Sequence, residues 1–196
     1  MLNNSMTLKP YHQLECPDNL QETISEKTID FLKTKYDILN VKNLSLWNKL
    51  NTMEFVRAVP ELVQYFKTLN LQLREVAFTI CVSNENAGLH IDELPVTAKI
   101  NFPILNTRGS LNLWYSVPEE LMSRVTPIIN QFGAAYYNLS DVAIDQCQLI
   151  ASVEVLKPVV FNSQIPHMID MSKSQSFPRI VLACMFFEEP INFLKK

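Results

Sequence analysis

From residue 71 onward the sequence falls into short runs rich in β-branched and aromatic residues, each closed by a turn signal, and no other feature limits the available folds so much. Val76-Ala77-Phe78-Thr79-Ile80-Cys81-Val82 reads as a strand buried on both faces. Residues 96–105 and 111–115 read as two more strands, joined by Asn106-Thr107-Arg108-Gly109, a turn whose glycine tolerates positive φ. Neighbours of this kind predict a hairpin. Residues 148–156, 159–162, 167–170 and the run opened by Arg179 complete the series. Many short strands with turns between them point to a jelly-roll barrel rather than a parallel sheet wound with helices.

The first seventy residues have a different texture. Asp18 is expected to cap a helix, with Gln21 three positions on completing a capping-box pattern. Leu20, Ile24, Thr28, Phe31 and Leu32 then share one helical face, which ends near Lys35. Pro60 suits the first position of a second helix. Leu62, Val63, Phe66 and Leu69 form its apolar stripe, and Asn70 ends it. Residues 37–55 are mixed, and Trp47, among Leu44, Leu46 and Leu50, is expected to pack against the sheet. The expected organisation is one domain over 1–196, with a helical part, 1–70, packed on a barrel core, 71–188. Residues 116–145 look like an insertion between the halves of the sheet, either a lid or a plain surface excursion.

Composition excludes some functions. A formal net charge of −3 gives no basic face for a nucleic acid. No stretch reads as a membrane span or a signal peptide, so the default expectation is a cytoplasmic protein. The four cysteines, 16, 81, 147 and 184, are widely spread and form no Cys-x-x-Cys pair, which argues against a zinc site of that kind. None of the three glycines belongs to a phosphate-binding pattern. Oligomeric state is not legible.

What remains is a small set of polar residues in apolar text. His90 and Asp92 flank Ile91, so on an extended chain both side chains point the same way and can reach one ion. There are three histidines in all, and of the other two, His167 opens a strand-like run. Two His and one carboxylate on one face form the set used by non-haem Fe(II) oxygenases, which leaves positions open for other ligands. Arg179, twelve residues beyond His167, stands at the mouth of Ile180-Val181-Leu182-Ala183-Cys184-Met185-Phe186-Phe187. A guanidinium there needs an anion. A ligand carboxylate would supply one through two parallel hydrogen bonds, and Asp170 or Glu188 would supply one from the chain itself. Asn101, Trp114 and Tyr115 lie on strands expected to wall the site. Alternation puts Lys99, Asn101 and Pro103 on one face and Ile100, Phe102 and Ile104 on the other, without saying which looks inward.

In this order His90-x-Asp92, His167 and Arg179, with the strand Ile100-Asn101-Phe102-Pro103-Ile104-Leu105-Asn106, resemble the signature of Fe(II)/2-oxoglutarate-dependent oxygenases. In detail the likeness is to the prolyl and aspartyl/asparaginyl hydroxylase-like branch, over roughly residues 75–188. The resemblance implies a double-stranded β-helix of the cupin-like, jelly-roll kind. It implies Fe(II) on His90, Asp92 and His167, and 2-oxoglutarate as co-substrate with its far carboxylate on Arg179. It further implies a dioxygenase that hydroxylates a C–H bond of a small molecule or an amino-acid side chain. The alternative is a cupin-like protein that binds a metal or a small acid without oxygenation.

Overall fold

The computed structural model describes residues 8–38, 45–84, 87–92, 96–123, 125–129 and 135–195. In chain order its strands are β1 (Tyr11–Gln13), β2 (Ser45–Lys49), β3 (Leu73–Cys81), β4 (Ala87–Ile91), β5 (Ala98–Leu105) and β6 (Leu111–Ser116). β7 (Pro127–Ile129), β8 (Ala135–Asn138), β9 (Gln148–Glu154), β10 (Val159–Asn162), β11 (His167–Asp170) and β12 (Arg179–Phe186) follow. The helices are α1 (Asp18–Lys35), α2 (Thr52–Ala58), α3 (Pro60–Thr68) and the one-turn α4 (Glu119–Met122).

The strands form two antiparallel sheets. One runs β1-β10-β5-β12-β3-β2 and the other β7-β8-β4-β11-β6-β9. From β3 to β6 successive strands alternate between the sheets, and from β9 to β12 they alternate again. The expected hairpin of β5 and β6 is therefore corrected: β5 pairs with β10 and β12, while β6 pairs with β11 and β9. The turn between them crosses from one sheet to the other. Asn106 (φ 51°) and Gly109 (φ 80°) give it the necessary left-handed backbone. A Cβ on Gly109 would sit 2.4 Å from the carbonyl oxygen of Lys173, so that position is closed to any side chain.

Alternation along the strands divides the core. Ile100, Phe102 and Ile104 of β5, Val76, Phe78 and Ile80 of β3, and Ile180, Leu182, Cys184 and Phe186 of β12 face the helices. There they bury against Ile24 and Leu32 of α1, Phe55 of α2, and Leu62, Tyr65 and Phe66 of α3. Each of these large side chains contributes about 1.5–3 kcal/mol by leaving water. Helix α1 covers the expected residues, yet Pro17 rather than Asp18 occupies the cap position and makes no side-chain bond. Gln21 instead donates to the carbonyl oxygen of Leu156 at 2.8 Å, tying the helix to the sheet.

The second sheet has its own outer layer. Leu89, Ile91, Tyr115, Leu139 and Met168 are buried beneath Val117, Met122, Val125, Tyr137, Val142 and Cys147. The segment between β6 and β9 therefore extends this sheet through β7 and β8 and covers its outer face. Residues 124 and 130–134 of that insertion lie outside the described residues. The opposite strand faces, carrying Lys99 and Arg179 from the first sheet and His90, His167 and Trp114 from the second, meet in the space between the sheets.

Candidate metal centre

His90 is the next-to-last residue of β4, and Asp92 stands immediately beyond the strand's last residue, Ile91. His167 opens β11, which pairs with β4 in a register that sets His167 opposite His90. The three side chains converge: their ligand atoms all lie within 4.8 Å of one another. His90 Nε2 is 3.7 Å from Asp92 Oδ1, and His167 Nε2 is 3.8 Å from Asp92 Oδ2.

Backbone carbonyls orient both imidazoles. His90 Nδ1 lies 2.8 Å from the carbonyl oxygen of Gly88, and His167 Nδ1 lies 2.8 Å from that of Ile165. A carbonyl only accepts, so each Nδ1 carries a proton, and Nε2 is the nitrogen that faces the carboxylate and is left to ligate. That is the arrangement a neutral imidazole needs in order to ligate, with the second nitrogen anchored by the surrounding protein. The donor set of two imidazoles and one carboxylate fits a divalent transition metal.

The electrostatics agree with the geometry. Burial alone would raise the Asp92 carboxyl, but the Lys99 ammonium, which also donates to it, together with the neighbouring rings of His167 and His90, outweighs burial and holds the group well below the usual carboxylate range. Burial lowers His167 from 6.5 to about 3, with His90 adding to the effect, so the ring is neutral at physiological pH. Lys99, from the inner face of β5, donates to Asp92 Oδ2.

A four-residue turn between β10 and β11 holds two of the three side chains. Asp92 donates its backbone N–H to the carbonyl oxygen of Ser163 at 3.1 Å. Ser163 Oγ donates to the carbonyl oxygen of Val96 at 2.8 Å. Gln164 Nε2 donates to the carbonyl oxygens of Asp92 (3.2 Å) and Val96 (2.7 Å). Ile165 fixes His167, and Pro166 accepts the N–H of Tyr115 at 2.8 Å.

Arg179 begins β12 on the inner face and is 1% exposed. Nε donates to Ser110 Oγ at 2.8 Å, and Nη1 is buried with no hydrogen-bond partner. Burial lowers the guanidinium's pKa, partly opposed by Cys81, its register partner on β3. Among the described residues Arg179 forms no ion pair, with Asp170, Glu188 or any other carboxylate; Asp170 instead caps the N–H of Ser172. Asn112, two residues beyond Ser110, is 1% exposed and also keeps an unpartnered nitrogen, Nδ2.

The second rank of residues sorts as follows. Lys99 and Asn101 are on the inner face, since Ile100 and Phe102 are buried under the helices. Trp114 packs inward on Phe161 and Tyr11, and its Nε1 donates to the carbonyl oxygen of Asn162 at 3.1 Å. Tyr115 points out and joins the covered face of the second sheet. Trp47, expected to pack against the sheet, belongs to it: it stands in edge strand β2 and packs with Ala77, Ala183, Met185 and Val96. Sequence reasoning missed Lys99, Ser110, Asn112 and Gln164 as site residues. It also missed Tyr136, whose ring meets that of His90 edge-on at 6.4 Å. Only Lys99 left a usable signal, a charge alternating with the apolar residues of β5.

Neither a family profile nor a curated protein matches the sequence. Solved structures of the same fold do. The chain is similar to HygX from Streptomyces hygroscopicus, a structure with nickel and 2-oxoglutarate bound, at a TM-score of 0.54 and 10% identity, over 90% of this chain and 82% of that one. It is similar to AviO1 from Streptomyces viridochromogenes Tue57 at a TM-score of 0.51 and 8% identity, over 94% and 92% of the two chains.

Proposed function

We propose that this protein is an Fe(II)- and 2-oxoglutarate-dependent oxygenase of the hydroxylase type. The observation that carries the reading is the buried Arg179: its Nη1 lacks an acceptor and it has no carboxylate partner among the described residues. It lies in the same interior as a two-histidine, one-carboxylate cluster. A dicarboxylate that reaches both sites satisfies both requirements at once. The alternation of strands between two sheets supports the jelly-roll, double-stranded β-helix form, and the fold shared with nickel- and 2-oxoglutarate-bound HygX supports the ligand set.

On this reading His90, Asp92 and His167 hold the metal, and Arg179 with Ser110 receives the far carboxylate of 2-oxoglutarate. Bound iron with its co-substrate supplies the oxidising power for cleavage of a substrate C–H bond. The chain's own part is positional. Gly88 and Ile165 aim the imidazoles, and Gln164 and Ser163 hold the Asp92 strand end. The substrate is a small molecule or amino-acid-type group, in keeping with the prolyl and aspartyl/asparaginyl hydroxylase-like sequence pattern.

The test is anaerobic addition of Fe(II) and 2-oxoglutarate, watched for the visible charge-transfer band of the chelate, followed by measurement of succinate in air. A band and succinate in the wild type, both absent in His167→Ala, are expected. A metal-loaded protein that gives neither leaves the cupin-like binding alternative.

A further inference from the structure

Given that the triad holds a divalent cation as proposed above, we infer that Lys99 is a positioning residue that decides how Asp92 binds it. Its ammonium retains Oδ2 and leaves Oδ1 as the single carboxylate ligand.

The placement of Lys99 carries this. Its side chain is 16% exposed and projects from the inner face of β5 toward Asp92, and it donates to Oδ2, not Oδ1. Nζ lies 5.2 Å from the centre of the Phe161 ring, which also packs edge-on against His167 at 4.7 Å. The cation therefore stands between an aromatic face and a carboxylate, each of which favours it there. Oδ1, the oxygen closer to His90 Nε2 at 3.7 Å, is the one left for an ion.

A carboxylate next to a divalent cation can give one oxygen or both. Giving both here would bring the metal onto the oxygen that already holds the Lys99 ammonium, setting two positive charges against one atom in a largely buried site, a costly state. Oδ2 thus stays with Lys99. In an octahedral ion, three single-atom protein ligands leave three positions open, whereas a chelating aspartate leaves two. A two-point co-substrate fills two positions, so Lys99 preserves the third, the one an oxidant needs. The charge works in the same direction. Lys99 and Asp92 together are neutral, which weakens the hold on the metal but favours a dianionic co-substrate.

The experiment counts exchangeable waters on Mn(II) bound to the full chain without co-substrate, by ENDOR spectroscopy in isotopically labelled water, and measures Mn(II) affinity by titration. Wild type is expected to show three waters. Lys99→Met is expected to show two, with Mn(II) bound on the order of tenfold more tightly because a repelling charge is gone. Its Fe(II)–2-oxoglutarate chelate should in turn be weaker. A purely structural lysine would not change the water count. A wild type with two waters, or a folded Lys99→Met variant that keeps three or binds Mn(II) more weakly, overturns the role of Lys99 and leaves the metal reading intact. The wild-type count decides the matter even if the variant does not fold. A wild type that binds no Mn(II) at the triad overturns the metal reading itself and this inference with it.

Discussion

His167 is the titratable side chain whose protonation the folded state resists most clearly. Its pKa drops from 6.5 to about 3 on folding, because the ring is buried beside His90. Between those values the unfolded chain binds a proton that the folded chain does not, so stability is full above pH 6.5 and falls as pH decreases toward 3. For the metal-free protein this one site should remove roughly 1.4 kcal/mol per pH unit below 6.5. Melting curves in EDTA from pH 7.5 to 5 check this, and His167→Gln should flatten the dependence. Arg179 makes the opposite trade. It is a buried cation with no carboxylate partner among the described residues, so Arg179→Met should hold or raise the melting temperature while weakening 2-oxoglutarate binding at least about tenfold. Arg179→Lys keeps the charge without the two-pronged donor and should also bind the co-substrate more weakly. A lower melting temperature with unchanged co-substrate affinity would remove Arg179 from the site. The convergent residues were legible because so few candidates existed: three histidines, one His-x-Asp and one arginine opening an apolar strand. Ser110 and Asn112 were not, and Lys99 showed only as a charge alternating with apolar residues, since alternation assigns a residue to a face without saying what that face meets.

At the scale of elements, strands with a strong apolar signature were read nearly as they stand. Residues 159–162 and 167–170 match β10 and β11, and the Arg179 run matches β12 to within one residue. Strand β2 and helix α2 were missed because residues 37–55 show no single period, and their structure comes from docking on β3 and α3. The hairpin expectation failed for a different reason. A short turn between two strands gives proximity in sequence, but whether they pair depends on the partners β10, β12, β11 and β9, which lie far along the chain. Gly109 makes the crossing possible. Gly109→Ala would force a side chain against the Lys173 backbone at positive φ, and should cost about 1–3 kcal/mol. Because Lys173 belongs to the loop leading to Arg179, the same variant should weaken 2-oxoglutarate binding while sparing Mn(II) affinity. Thermal melts and the two titrations on one preparation check this.

For the whole molecule, metal binding and folding are linked. The three proposed ligands come from both halves of the chain, and the pairing of β4 with β11 brings them together. A cation bound only by the folded form stabilises it by about 2.7 kcal/mol at a hundredfold excess over its dissociation constant. Mn(II) should therefore raise the melting temperature of wild type and leave that of Asp92→Ala unchanged. The described helices include none long and apolar enough to cross a membrane. Most of the apolar surface is instead divided between a layer under α1, α2 and α3 and a smaller one under the insertion, with the polar residues of the site kept between the sheets.

The turn at residues 163–166 gives this division a consequence for how the chain can change in length. Those four residues hold the Asp92 strand end by one edge and His167 by the other, so they act as a ruler between two ligands. A single glycine inserted after Gln164 would slide one mark against the other and should abolish Mn(II) binding in a chain that still folds. The same insertion near Asp141, in the covering segment on the far side of the second sheet, should leave the affinity as it was. Length variation among descendants of such a chain is thus expected to collect in the covering segment and to spare the ruler.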